Sequence, residues 1–291
     1  MHPAPSVILF TVLSGLGFGF LGFLALGQIA VQGWAAFWLW GLGYALAVGG
    51  LLASAFHLGN PQRAWRAFTQ WRSSWLSREA WASLLTLVIL APVALGDWLG
   101  FAAPFALRLS GAVLCAVTVL CTAMIYTQIR AVPRWNHWIT PVMFLAFALT
   151  GGALLAGLSV VAAVFCAALG VVLLAGFAIG DRQFAARGAT IGTATGLGGL
   201  GAVRAFEWPH TGDNYLLREM IFVVGRRHAA RLRLIAVGGA AVLPGMLVLV
   251  LPAGVGVTGL AVALHLFGAF AARWLFFAQA EHVVGLYYGR R

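Results

Sequence analysis

Two residues of this chain could carry proton chemistry together, His57 and Glu79. They lie 22 residues apart, one at the end of a long apolar run and the other at the start of the next. An imidazole titrates near neutral pH and can take a proton from a hydroxyl, and a carboxyl nearby can pass that proton towards water. Both groups are costly at a membrane boundary unless solvated or paired, which makes them functional candidates. The stretch between them is dense in arginine and tryptophan, with Arg63, Arg66, Arg72 and Arg78 set among Trp65, Trp71 and Trp75, and with Ser77 just ahead of Arg78. Such a set suits a quinol, a membrane-soluble carrier whose hydroxyls need partners that accept a hydrogen bond and then a proton. A His–Glu or Arg–Glu pair that only pins two helix ends would use the same residues, and their types alone leave both readings open.

The elements that position these residues are membrane spans. Of 291 residues 62% are hydrophobic and 9% charged, whereas soluble domains run near 25% charged. Crossing a bilayer core takes about 20 apolar residues in a helix. Eight runs qualify: 6–28, 35–58, 79–95, 105–129, 138–156, 158–179, 234–251 and 257–279. The expected fold is therefore all-α, a single transmembrane domain over 1–291 built as a bundle of eight helices in four hairpins. The third span is short, and the fifth and sixth are nearly fused. The glycine run from Leu13 to Gly19 is expected to be a packing face, since small residues let membrane helices approach closely. Residues 59–78 read as an interfacial amphipathic loop: on a wheel of 100° per residue Trp65, Phe68, Trp71 and Trp75 share a sector of about 120°. Their rings would lie at headgroup depth, with Arg63 and Arg66 on the opposite side. Residues 181–226 are the one sizeable extramembrane segment, a glycine-rich loop over 188–201 followed by a basic helix over 215–233 that Asp213-Asn214 would open.

All 18 basic residues are arginine, and the formal charge is +11. In a soluble protein that excess would suggest nucleic acid; here the arginines flank apolar runs, where lipid phosphates and partner carboxylates meet them. Sixteen fall on one side of the expected bundle, Arg108 lies near the other, and Arg273 sits inside the last span. The positive-inside rule then puts the arginine-rich side and both termini in the cytoplasm. The N-terminus lacks a basic region before its apolar run and is read as the first span, not as a signal peptide. Cys115, Cys121 and Cys166 form no CxxC pair, so no metal site is expected in this chain and a redox partner must bring its own. His265 and His282 are 17 residues apart, about 260° around a helix, and do not offer a haem two ligands on one face. Arg273 is expected to snorkel or to pair with Glu281, His137 to meet headgroups, and Asp97 to be a loop residue. A transporter would call for more charge within the spans, and a purely structural anchor would lack the proton chemistry at His57 and Glu79.

Taken in order, these motifs resemble the anchor subunit of dimethyl sulfoxide reductase and its relatives, the DmsC family. The resemblance rests on Met1-His2-Pro3 with Phe10-Thr11 and Leu13-Ser14-Gly15, on Gly49-Gly50-Leu51-Leu52-Ala53-Ser54, and on His57-Leu58-Gly59 and Ser77-Arg78-Glu79. It continues through Met124-Ile125-Tyr126, Pro133-Arg134-Trp135, Leu217-Arg218-Glu219-Met220 and Arg227-His228-Ala229. It implies an eight-span anchor in a bacterial inner membrane that oxidises menaquinol or ubiquinol, binds no haem, and serves anaerobic respiration. The implied partners are an electron-transfer subunit with four iron–sulfur clusters and, through it, a molybdopterin catalytic subunit. The family's quinol-site histidine corresponds to His57 and its essential glutamate to Glu79, with Arg63 and Arg66 in the matching loop. Much of 181–214 departs from the family pattern.

Overall fold

A computed structural model of the chain describes residues 2–57, 59–209, 212, 214–221 and 228–289, and gives His57, Leu217 and Arg218 as backbone. Leu58, Asp213 and Arg227, named above, and Arg226, Arg290 and Arg291, three of the sixteen arginines counted on one side, lie outside the described residues. Eight apolar helices make the frame: α1 (Pro5–Ala25), α2 (Gly33–Ala53), α3 (Trp75–Leu99), α4 (Phe105–Thr127), α5 (Ile139–Leu155), α6 (Ser159–Ala186), α7 (Ala229–Val250) and α8 (Val255–Ala278). Seven are long and apolar enough to cross a membrane, and α5, with 17 residues, is shorter. No strand occurs among the described residues.

The ends of these helices follow local chemistry. Gly100, in the left-handed region at φ 85°, stops α3, and Gly157 at φ 69° separates α5 from α6, the conformation that favours glycine after a helix. The third span is longer than its apolar core, running from Trp75 to Leu99. Glu79 therefore lies a full turn inside α3, and Asp97 is helical instead of being a loop residue.

Three further expectations change. The segment between α2 and α3 contains two 3-10 helices, Ser54–His57 and Pro61–Phe68, followed by turns. At three residues per turn Trp65 and Phe68 still align, but Trp71 lies beyond the helix and Trp75 belongs to α3. The helix expected over 215–233 is helical at Tyr215–Met220, Ile221 is not, and Ala229 opens α7. Within 188–201 stands a short helix, Ile191–Thr195, held by a Thr190–Thr193 capping box.

Neighbours in sequence pair as hairpins, α1 with α2, α3 with α4, α5 with α6 and α7 with α8, while α1 also packs on α4, α5 and α8. Its glycines explain that central position. A Cβ on Gly17 would collide with the Ala47 backbone, and one on Gly19 with the Ala148 carbonyl. The seam lets three helices approach within backbone contact, the packing that drives association where lipid removes the hydrophobic contrast. Phe18, Phe20, Leu21 and Leu24 fill the space beside it. Outer faces carry exposed Val88, Leu95, Val160, Val171 and Leu249, as surfaces bathed in lipid tails require.

Candidate functional site

The first turns of α3 carry Ser77, Arg78 and Glu79. Ser77 is buried, and its Oγ accepts the Gln70 N–H at 3.3 Å. Arg78 donates from Nε to the Trp71 carbonyl at 3.0 Å and from Nη2 to the Arg72 carbonyl at 2.7 Å, and its guanidinium lies 4.3 Å from the Trp75 ring. Trp81 adds a bond from Nε1 to the Phe68 carbonyl at 3.0 Å and meets the Phe68 ring edge-on at 5.3 Å. These contacts fasten the segment before α3 onto its first two turns. Ser77 and Arg78, expected near a ligand, thus spend polar atoms on holding that segment.

Glu79 is 3% exposed and turns inward, where its Oε1 accepts a hydrogen bond from the Thr122 hydroxyl of α4. Among the described residues it forms no ion pair. Arg63 and Arg66 are exposed on the 3-10 helix, with Arg66 against Trp65 at 5.7 Å. The His57 backbone closes the first 3-10 helix, which packs on α1, α2 and the second 3-10 helix. Its imidazole lies outside the described atoms. The structure therefore joins Ser77, Arg78 and Glu79 on one helix end and sets Arg63 and Arg66 apart from the carboxyl.

Two grooves score the outer wall. One, of about 510 Å³, runs between α3 and α4 beneath Phe68 and Trp71 and is lined by Arg78, Trp81, Leu85, Leu114 and Cys121 among others. Glu79 does not line it; it stands on the inner side of the same helix pair, and Cys121 on the groove is the chain neighbour of its partner Thr122. The other, of about 400 Å³, lies between α1, α4 and α5 in the opposite half and is walled by Phe18, Phe23, Val113, Leu149 and other apolar or small residues.

Sequence reasoning gave two buried groups, Arg273 and His265, other roles and passed over a third, Thr122. Arg273 is 3% exposed and sits 3.4 Å from the Phe144 ring centroid and 5.1 Å from that of Phe147. It does not snorkel, and among the described residues it forms no ion pair. His265 bonds the Ala240 carbonyl through Nδ1 at 2.7 Å. Thr122 carried no signal, because hydroxyls within spans usually bond their own helix. Asp97 is not idle either: Arg108 pairs with it, and the Trp40 indole donates to it at 3.0 Å. Among the described residues no three His, Cys, Asp or Glu side chains converge as a metal site would need. His137 caps the start of α5, its Nδ1 accepting the Ile139 N–H at 3.2 Å. Burial, then the Arg187 charge, lowers its pKa below the usual imidazole value, which favours the neutral acceptor form.

Comparison with known proteins now places the chain. The family described as DMSO reductase anchor subunit (DmsC) matches residues 1–180, which include α1–α5, most of α6 and every site residue discussed between His57 and Thr122. A sulfite dehydrogenase subunit of Allochromatium vinosum is 31% identical, with 99% of each chain covered. No solved structure matches. This multi-pass, all-helical chain belongs to the DMSO reductase anchor subunit family.

Proposed function

We propose that this anchor oxidises a quinol at the arginine-rich end of α2 and α3 and passes the electrons to an iron–sulfur cluster of a partner subunit. One observation carries the reading: a buried carboxyl, Glu79, bonded by a hydroxyl and free of ion pairs among the described residues, stands behind a groove of about 510 Å³ in the membrane wall. A bound quinol supplies two electrons and two protons. The groove offers Trp81, Phe68 and aliphatic side chains to its ring and tail, and Arg78 to an oxygen. His57 takes a hydroxyl proton, and Glu79 relays protons onward to water at the arginine-rich end. A hydroxyl suits that relay, since it can donate to the ionised carboxylate or accept from the protonated one.

The remaining features fit the same assembly. At 1.5 Å per residue α5 rises about 25 Å, enough for an eighth crossing in a bilayer core of about 30 Å. With eight crossings the exposed Arg63, Arg66 and Arg72 share a face with both termini. We assign that face to the cytoplasm of a bacterial inner membrane, and to docking a four-cluster iron–sulfur subunit that links to a molybdopterin catalytic subunit. Residues 59–78 lie at the lipid boundary, and 181–226 extend the docking face. The experiment is His57→Leu in the intact complex: quinol oxidation stops while substrate turnover with an artificial electron donor continues. Quinol turnover at the wild-type rate would refute the site.

A second reading keeps the site and reverses the flow. The Allochromatium protein is named for a dehydrogenase, and a complex that oxidises its substrate would deliver electrons to a quinone here. Supplying the complex with sulfite and an oxidised quinone, and following quinone reduction, decides between the directions.

A further inference from the structure

Thr122 faces two ways. Its hydroxyl donates to Glu79, and it also lines a small internal cavity of about 20 Å³ enclosed by α1, α4, α5 and α8. Thr11, Ser14, His265 and Arg273 supply the other polar walls. Three of the hydroxyl and imidazole protons are already committed. Thr11 donates to the Val7 carbonyl at 3.0 Å and Ser14 to the Phe10 carbonyl at 2.6 Å, so both turn lone pairs to the cavity.

His265 is committed by the shape of α7. Pro244 lacks the N–H that would bond the Ala240 carbonyl in α-helical register, and the chain passes there through a π-turn, Gly238–Val242. The freed carbonyl can only accept, so Nδ1 of His265 carries a proton, and when the ring is neutral Nε2 is an acceptor. That nitrogen faces Gly151, where a Cβ would lie 3.0 Å from it. Against these acceptors stands a donor group: Nη1 of Arg273 is buried and has no hydrogen-bond partner. Such a group is costly in a membrane interior unless something answers it. The room available holds a water, which needs about 10–15 Å³, and nothing much larger.

We propose that one internal water occupies this cavity and makes Arg273 the remote counter-charge of Glu79. The water accepts from the Arg273 guanidinium and donates to Thr122 Oγ1 and His265 Nε2. Every donor from Arg273 to Glu79 then points the same way: guanidinium to water, water to Thr122, Thr122 to carboxylate. Arg273 is a positioning residue that steadies the ionised state of Glu79 without touching it. The chain of bonds ends at His265, midway along α8, and provides no passage to the far side.

This rests on Glu79 serving the quinol site, and the test separates the two claims. Infrared spectra of the purified complex are recorded in ordinary and in ¹⁸O water, and the carboxyl band of Glu79 is identified by its loss in Glu79→Gln. Wild type is expected to show an O–H stretching band that moves with ¹⁸O. Arg273→Met removes that band and shifts the Glu79 carboxyl band, Arg273→Lys restores both, and Thr122→Val keeps the water band but shifts the carboxyl band. Quinol oxidation falls about tenfold in Thr122→Val, a fraction of what a proton-transfer group itself contributes. An ¹⁸O-sensitive band unchanged in Arg273→Met, or a carboxyl band unmoved in Thr122→Val, overturns the water link. If Arg273→Met does not assemble, Thr122→Val and Arg273→Lys decide alone, and a Lys variant without the band is equally contrary. Should Glu79→Gln oxidise quinol normally while these couplings hold, the water stands and the quinol reading falls.

Discussion

Helix α3 carries a carboxyl near each end, and the two are held differently. At the arginine-poor end Asp97 meets the Arg108 guanidinium and the Trp40 indole, which tie α2, α3 and α4 together. At the arginine-rich end Glu79 is more deeply buried yet meets only the Thr122 hydroxyl among the described side chains. Guanidinium and indole nitrogens only donate, so Asp97 has a fixed donor at each of its two oxygens. A hydroxyl donates or accepts, and its carboxyl can change protonation without losing its partner. One end of α3 is a bracket; the other is suited to proton traffic.

The largest expected effect breaks or upholds that contrast directly. Glu79→Gln is expected to lower quinol-driven turnover by about 100-fold or more, the scale of a lost acid–base group, with artificial-donor activity retained. Asp97→Asn should leave quinol turnover within about twofold. Steady-state rates with both donors check this, and equal losses at the two positions would erase the distinction.

Stability should sort the two residues in the opposite order. Asp97 and Arg108 side chains are 13% and 20% exposed, so removing either leaves the other poorly compensated, at about 1–3 kcal/mol. Thermal unfolding of Asp97→Asn, Arg108→Met and the double variant measures it. The double variant should be no worse than the worse single one, as for two residues sharing one interaction; additive losses would mean the pair is not the bracket.

A smaller effect belongs to the segment ahead of α3. Arg78→Gln removes two bonds to the Trp71 and Arg72 carbonyls, which are exposed and together worth about 1 kcal/mol. Quinol KM should rise about three- to tenfold with kcat nearly unchanged, and limited proteolysis should cut faster near residues 69–74. A fall in kcat alone would give Arg78 a role in the chemistry. Smallest of all is Asp181→Asn, which parts Asp181 from Arg134 and Arg233 at 2.6 Å each. Asp181 is 44% exposed, so less than about 1 kcal/mol is at stake, and quinol oxidation should not change.

How much of this was legible in the sequence depends on distance along the chain. Apolar runs near 20 residues announce spans without reference to tertiary structure, and the eight expected runs each overlap one of α1–α8. The Leu13–Gly19 run announced a close approach because glycine in a span has few other uses. Glu79 stood out because a carboxyl so close to an apolar run is expensive. Its partner did not, since Thr122 is 43 residues away and could equally have bonded only its own helix. Arg273 was visible as a cation inside a span, but the rings that receive it, Phe144 and Phe147, belong to another helix, and snorkelling was the simpler reading. The 3-10 helix Pro61–Phe68 was hidden for a different reason: over eight residues, spacings of three fit a period of 3.0 or 3.6.

Above all, the carrier is held to use the groove beside Glu79 and not the wider membrane surface. A photoreactive quinone analogue, cross-linked to the complex in its native lipid and mapped by mass spectrometry, tests this most directly. Labels are expected on Phe68, Trp81, Leu114 or Cys121 and should vanish with excess unlabelled quinone. Competed labels on Phe18, Val113 or Leu149, in the apolar groove of the opposite half, would contradict it.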